Sequence, residues 1–175
     1  MSTSGNNATG PVTENLLVNP PEGFVVGFQN RLPQTRIVEF VPRGQTVEQW
    51  MDMVTVQVFH QNKATSAQFA TFMRATWEKA CGIGTVSKLS EVSSNGYPAH
   101  RWMSNCALNP KSRQPENTMF LAIRGAEALY VVQVATKTKP NQDWMARTNA
   151  YLDSVLVCDP RSAQHPCPNL SPGIR

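Results

Sequence analysis

The chain has 175 residues, a formal net charge of +4 and 41% hydrophobic residues. This length is enough for one domain with its own hydrophobic core. Lysine and arginine are scattered, and no apolar run approaches the roughly 20 residues of a membrane span. We therefore expect neither a nucleic-acid partner nor a membrane-spanning helix.

The first 13 residues contain few apolar side chains, so we expect residues 1–13 to form a flexible leader. Met1 is not followed by the charged and apolar regions of a signal peptide. A polar leader of small residues nevertheless resembles the tether left when a signal or lipoprotein segment is removed. The sequence thus leaves open a lipid tether before residue 1.

Two strands are predicted next, at residues 23–29 and 35–41, with a short polar connection between them. Apolar residues between Val47 and Val54 keep helical spacing and predict a short helix. That helix should give way near residue 53 to a strand that runs through Phe59, because β-branched residues alternate there with polar ones.

The strongest helical pattern covers residues 65–80. Thr65 and Gln68 have the spacing of a capping box, and apolar residues then recur at intervals of three and four. One face of this helix is strongly apolar, so it must pack on a sheet. A pair of strands at residues 85–92 and 97–106 follows, joined at an Asn-Gly turn.

Residues 117–137 predict a hairpin of two strands that turn at Gly125. Apolar residues occupy both faces of both strands, and only Gln133 interrupts them. Strands that are apolar on both faces must be covered on both sides. A last helix is predicted at residues 141–157.

This order of elements predicts an α+β fold, a mainly antiparallel sheet covered by helices in an α/β/α sandwich. We assign residues 14–160 to a single domain of this kind. Residues 161–175 then form a C-terminal tail.

Four cysteines allow three disulfide pairings. Cys81 ends a predicted helix and Cys106 ends a predicted strand, whereas Cys158 and Cys167 bracket a proline-containing segment. We favour Cys81 with Cys106 and Cys158 with Cys167, and the second pair would pin the tail. Such disulfides indicate an oxidising compartment, periplasmic or extracellular. The alternative is four reduced, buried thiols.

The sequence contains no pattern that predicts a catalytic or metal site. His60, His100 and His165 lie far apart and lack the spacing of metal ligands. A nucleophile elbow and a glycine-rich phosphate loop are both missing. His100 could activate Cys81 or Cys106 only if that thiol were free. We therefore predict no catalytic residue, metal or cofactor.

The strand at residues 97–106 carries the candidate binding surface. Trp102 shares one face with His100 and Ser104, and Arg101 points to the opposite face. We expect Trp102 to be partly exposed beside these polar neighbours. The alternative is a strand that only covers the edge of the sheet.

Several segments together resemble the PsbP-like sandwich family. They are the strand GFVVGFQ, the segment EFVPRGQTVEQWMDMVTVQVF, a long helix ending at Cys81, an NGYP turn, and a hairpin leading to a C-terminal helix. The resemblance covers about residues 22–157. This group includes the photosystem extrinsic subunit and bacterial envelope proteins and lipoproteins of the DcrB type. It implies a binding, accessory or chaperone-like role and assigns no functional residue here.

The sequence therefore predicts a non-catalytic envelope or secreted protein that binds another protein or a small ligand. One alternative is an inhibitor or chaperone-like adaptor for a dedicated protein partner. The other is an enzyme whose site forms only in space. A deep pocket with convergent titratable groups would favour the enzyme, and a flat apolar patch would favour protein binding.

Overall fold

The structure is a computed structural model that describes residues 13–82 and 84–168. Residues 1–12 of the predicted leader and residues 169–175 of the predicted tail lie outside this range. The strands are Asn15–Leu17 (β1), Phe24–Arg31 (β2), Thr35–Pro42 (β3), Asp52–His60 (β4), Gly84–Val86 (β5), Ser90–Ser94 (β6), Tyr97–Cys106 (β7), Glu116–Arg124 (β8), Ala128–Thr136 (β9) and Leu156–Cys158 (β10). The helices are Ser66–Cys81 (α1) and Gln142–Asp153 (α2).

Eight strands form one antiparallel sheet in the order β2-β3-β4-β9-β8-β7-β5, and β6 also pairs with β7. β1 and β10 form a separate two-stranded sheet. The helices pack on opposite faces of the large sheet. The predicted α+β class, a mainly antiparallel sheet covered by helices, is confirmed.

The hairpin of β8 and β9 lies in the middle of the sheet and is buried on both faces. On one face, Leu121 and Val132 belong to a core that includes Trp144 of α2. On the other face, Phe120 belongs to a second core with Trp102, and α1 packs over it. The alternation of side chains along each strand sends neighbouring residues into different cores. The hairpin thus holds the two layers together.

The start of α1 follows the sequence prediction closely. The Thr65 side chain accepts a hydrogen bond from the Gln68 backbone N–H, and the Gln68 side chain accepts one from the Thr65 N–H. This reciprocal capping box satisfies two donors that the first turn leaves unpaired.

The short helix predicted between Val47 and Val54 is wrong. Because β3 and β4 pair directly up to Phe40 and Val54, residues 43–51 must reverse the chain between adjacent strands. The Gln45 side chain accepts a hydrogen bond from the Met51 N–H, which fixes an irregular turn.

Two other boundaries differ from the prediction. The last helix ends at Asp153, and the residues after it leave as β10 to pair with β1, which the sequence pattern did not reveal. The strand predicted at residues 85–92 is split into β5 and β6. At the break, the Ser87 side chain accepts a hydrogen bond from the Met103 N–H of β7.

The four cysteines form two disulfides, Cys81–Cys106 and Cys158–Cys167, the same pairs that the sequence favours. The first joins the end of α1 to the end of β7. The second joins the end of β10 to the C-terminal tail.

The two disulfides should differ in their effect on stability. A cross-link stabilises mainly by restricting the unfolded chain, so the longer loop contributes more. The sequence separations are 25 residues for Cys81–Cys106 and 9 for Cys158–Cys167. We expect C81A/C106A to lose about 3.5 kcal/mol of unfolding free energy and C158A/C167A about 2.5 kcal/mol. Urea unfolding measures both, and a smaller loss for C81A/C106A would contradict the expectation.

Candidate functional site

The candidate binding surface predicted on β7 is partly buried. Trp102 is only 2% exposed and stacks on Phe120 with ring centroids 4.7 Å apart, and Ser104 is fully buried. β7 has paired strands on both sides, and α1 covers this face. The predicted exposure of Trp102 is therefore wrong, because alternation along a strand does not reveal whether a helix packs over it.

The other two residues of that prediction hold helices in place. His100 Nδ1 lies 2.8 Å from Ser66 Oγ at the start of α1. On the opposite face, Arg101 donates hydrogen bonds to Asn149 at 3.2 Å and to Asp153 at 2.8 Å, both on α2. His100 and Arg101 thus connect β7 to both helical layers.

The contact between Ser66 and His100 has the reach that a serine nucleophile and its base require. Ser66 is only 1% exposed, however. Among residues 13–82 and 84–168, no carboxylate lies within 4.0 Å of the His100 ring nitrogens. The pair is thus shielded from a substrate and lacks a carboxylate to orient the imidazole.

In the described part of the chain, no three His, Cys, Asp or Glu side chains are grouped so as to hold a metal ion. Neither of the helices found there is long and apolar enough to cross a membrane.

An open cleft of about 570 Å³ lies on the α2 face of the sheet, over β2, β3 and β4. Its floor consists of apolar side chains from these strands, namely Val26, Val38, Phe40, Val56 and Val58. Its wall is the segment from Thr13 to Val18, which contributes Leu16 and which we call the N-terminal strap. We call this cavity the sheet cleft.

Three basic side chains line the sheet cleft where β2 turns into β3: Arg31, Arg36 and His60. Leu32 and Thr35 exchange two backbone hydrogen bonds, of 2.8 and 3.4 Å, that close the turn. Arg31 and Arg36 form the next pair. That position is a non-hydrogen-bonded pair, in which the Cα atoms are only about 4.5 Å apart. The two arginine side chains therefore leave the backbone next to each other, on the same face of the sheet.

A β-bulge places Arg31 on the cleft side. The register of β2 against β3 shifts between Val26 and Phe28, at Gly27. With strict alternation, Val26 and Arg31 would point to opposite faces; the extra residue brings both into the cleft. A Cβ atom on Gly27 would lie 3.0 Å from a methyl group of Val41, so the glycine also suits the close packing there.

Glu14 anchors the N-terminal strap to the turn of the central hairpin. Its carboxylate accepts hydrogen bonds from the backbone N–H groups of Ala126 at 2.7 Å and Glu127 at 3.1 Å, and from the Tyr130 hydroxyl at 2.9 Å. Burial by itself raises the pKa of Glu14. These bonds and the nearby Tyr97 hydroxyl outweigh burial and hold that pKa below its ordinary value.

Gly125 makes this anchor possible, because a Cβ atom there would overlap the Glu14 carboxylate. Burial raises the pKa of Tyr130, and the hydrogen bond to Glu14 raises it further. Tyr130 therefore stays protonated and continues to donate to Glu14.

The C-terminal tail packs beside this anchor. Arg161 bonds to Asp159 and Glu127, and its guanidinium lowers the pKa of Asp159 to about 2. The His165 ring stacks on Tyr97 with centroids 3.8 Å apart. The described part of the tail thus meets the strap at one end of the sheet.

Neither a protein-family model nor a curated protein matches the sequence. The solution structure of cyanobacterial PsbP (CyanoP) from Synechocystis sp. PCC 6803 is similar with a TM-score of 0.49 and 10% identity, over 88% of this chain and 94% of that one. The crystal structure of LpqN, involved in cell envelope biogenesis of Mycobacterium tuberculosis, has a TM-score of 0.49 and 8% identity, over 86% and 87% of the two chains.

These are similarities in the arrangement of the chain. The first of these two proteins is a PsbP, the group that the sequence resembles. Neither of the two is described as a DcrB-type protein.

The sequence patterns do not single out the lining of the sheet cleft. One available signal was Gly27 inside a strand pattern, which is typical of a bulge. Another was the pair Arg31 and Arg36 at the two ends of a short connection. Neither signal shows which face of the sheet stays open.

Replacing Glu14 by Gln should destabilise the protein in a pH-dependent way. Because the folded pKa of Glu14 is lowered, its stabilising effect is fully present above the ordinary value of 4.5 and is lost as pH falls through the folded value. We expect E14Q to lose about 2 kcal/mol near neutral pH. Urea unfolding at a series of pH values should show this loss shrinking towards zero in acid.

The matched control is Glu91→Gln, which removes an exposed carboxylate. It should change stability little at any pH. A loss in E14Q that is constant with pH would show that the charge of Glu14 does not stabilise the strap.

Proposed function

We propose that this protein is a non-catalytic binding protein that holds the apolar part of a small ligand in the sheet cleft. One observation carries the proposal: five apolar side chains from three neighbouring strands form the floor of an open cavity of about 570 Å³. This volume lies within the roughly 300–1,000 Å³ that ligand sites typically enclose, and the lining combines the apolar floor with polar and charged side chains.

Part of the apolar floor is exposed to solvent. Val26 is 53% exposed at the edge of the sheet, and Val38 and Val58 are half-buried, whereas Phe40 and Val56 are buried beneath them. Contiguous exposed apolar surface commonly marks a place where another molecule binds. A ligand that covers the floor would remove that surface from water, which is favourable in proportion to the apolar area.

The polar groups around the cleft support binding rather than chemistry. The Glu14 carboxylate already accepts hydrogen bonds from Ala126, Glu127 and Tyr130. Arg31 and Arg36 are cations that hold charge rather than transfer protons at neutral pH. This supports a holding role, and the enzyme alternative receives no support from the buried Ser66 contact.

The two disulfides support a periplasmic or secreted location for this function, because disulfides persist in oxidising compartments. The DcrB-type branch, a lipid tether before residue 1, and the inhibitor or adaptor role stay predictions. No nucleic acid and no cofactor enters the proposal.

A neutral fluorescent probe, N-phenyl-1-naphthylamine, tests the cleft without relying on charge. We expect its fluorescence to rise on binding to the protein. Val26→Trp places a large side chain over the floor and should weaken probe binding about tenfold or more, since tenfold corresponds to only about 1.4 kcal/mol.

Leu108→Trp is the matched control, because Leu108 is also 53% exposed but lies outside the sheet cleft. It should bind the probe as the wild type does. Thermal unfolding of both variants checks that each is folded. Absence of probe binding, or equal binding by V26W and wild type, would overturn the proposed function.

A further inference from the structure

We infer that the ligand of the sheet cleft is an elongated amphiphile whose oxyanion head group, a carboxylate or a phosphate, is held by Arg31 and Arg36. This inference rests on the proposed function, because it requires the cleft to hold a ligand. It adds the chemical class of that ligand and the end of the cleft at which its charge lies.

The first observation is that the two arginines face each other without a counter-ion. They are directly opposite on β2 and β3 and line the same cavity. Within residues 13–82 and 84–168, neither has a carboxylate within 4.0 Å. Like charges in directly opposite positions destabilise a sheet. An anion between them would turn that repulsion into attraction.

The rest of the chain holds no acidic side chain that could supply this anion. Residues 1–12, which precede the strap, contain neither Asp nor Glu, and the same is true of residues 169–175. The acidic side chain that does line the cleft is Glu14, whose oxygens already accept three hydrogen bonds. No Asp or Glu side chain of these two segments therefore competes with an external anion for the arginine pair.

Glu14 is also not paired with either arginine. Arg36 is opposite Val58, and Val58 is opposite Tyr130, whose hydroxyl bonds to Glu14. Two strand spacings of about 4.8 Å separate Arg36 from Tyr130. Glu14 and the arginine pair thus start from strands that are not direct neighbours.

Arginine chemistry favours an oxyanion. A guanidinium group presents its N–H donors in a planar fork that matches the oxygens of a carboxylate or a phosphate. Val58 of β4 lies opposite Arg36. His60 follows two residues later on β4, so it points to the same face, and it also lines the cavity. It can add a ring N–H donor to the same head group.

The apolar floor runs away from this basic end. On β3, Val38 and Phe40 follow Arg36 at intervals of two residues on the same face. Four residues of an antiparallel strand span about 13 Å. Charge at one end and an apolar track along the strand fit an elongated molecule with an anionic head and an alkyl body.

The test compares ligands with one chain and different heads. Isothermal titration calorimetry on the whole chain, below micelle concentrations, would use dodecanoate, dodecyl phosphate, dodecanol and dodecyltrimethylammonium. We expect the two anions to bind at least tenfold more tightly than the alcohol and the cation. Whichever anion binds more tightly identifies a carboxylate or a phosphate head.

The variant R31Q/R36Q removes both charges while keeping polar side chains of similar reach. It should lower the affinity for the two anions at least tenfold and leave dodecanol binding unchanged. The charge-matched control R43Q/K111Q alters two exposed cations outside the cleft and should bind all four ligands as the wild type does.

The outcomes separate this inference from the proposed function. If all four amphiphiles bind equally and R31Q/R36Q changes nothing, the head-group assignment is overturned while binding in the cleft stands. If none of the four binds, or if V26W leaves their binding unchanged, the proposed function falls as well. A loss of anion affinity in R43Q/K111Q as large as in R31Q/R36Q would also overturn the assignment, because it would reflect net charge alone.

Discussion

Burial of the central hairpin on both faces is the constraint on which the rest of the structure depends. β8 and β9 place apolar residues in two separate cores, so the sheet needs a helix on each side. Two helices cannot cover eight strands completely. On the α2 side, apolar floor residues of β2, β3 and β4 are left lining an open cavity. The cleft is thus a consequence of how the hairpin is covered.

The strap and the tail define the other boundary of that cleft. A single carboxylate, Glu14, joins the strap to the hairpin turn, and the glycine at position 125 leaves room for it. β1 then pairs with β10, which leads through the Cys158–Cys167 disulfide to the tail. Both ends of the described chain therefore meet at one end of the sheet and hold the wall of the cleft in position.

Local signals in the sequence predicted the elements whose cause is local. The apolar hairpin and the capping box at Thr65 belong to this group, since neighbouring residues determine both. The burial of Trp102 could not be predicted from β7, because it depends on where α1 packs. The bulge at Gly27 and the pairing of β1 with β10 likewise depend on contacts between distant segments. The candidate site lies among these distant contacts, which is why its residues escaped the sequence analysis.

Arg31 could also serve to protect the sheet edge, because charged side chains on an edge strand discourage pairing with another chain. That role does not require a particular face of β2. It also cannot account for Arg36, which lies on β3, an interior strand that pairs on both sides. Edge protection thus explains one of the two arginines, whereas an anion in the sheet cleft explains both of them and the face they share.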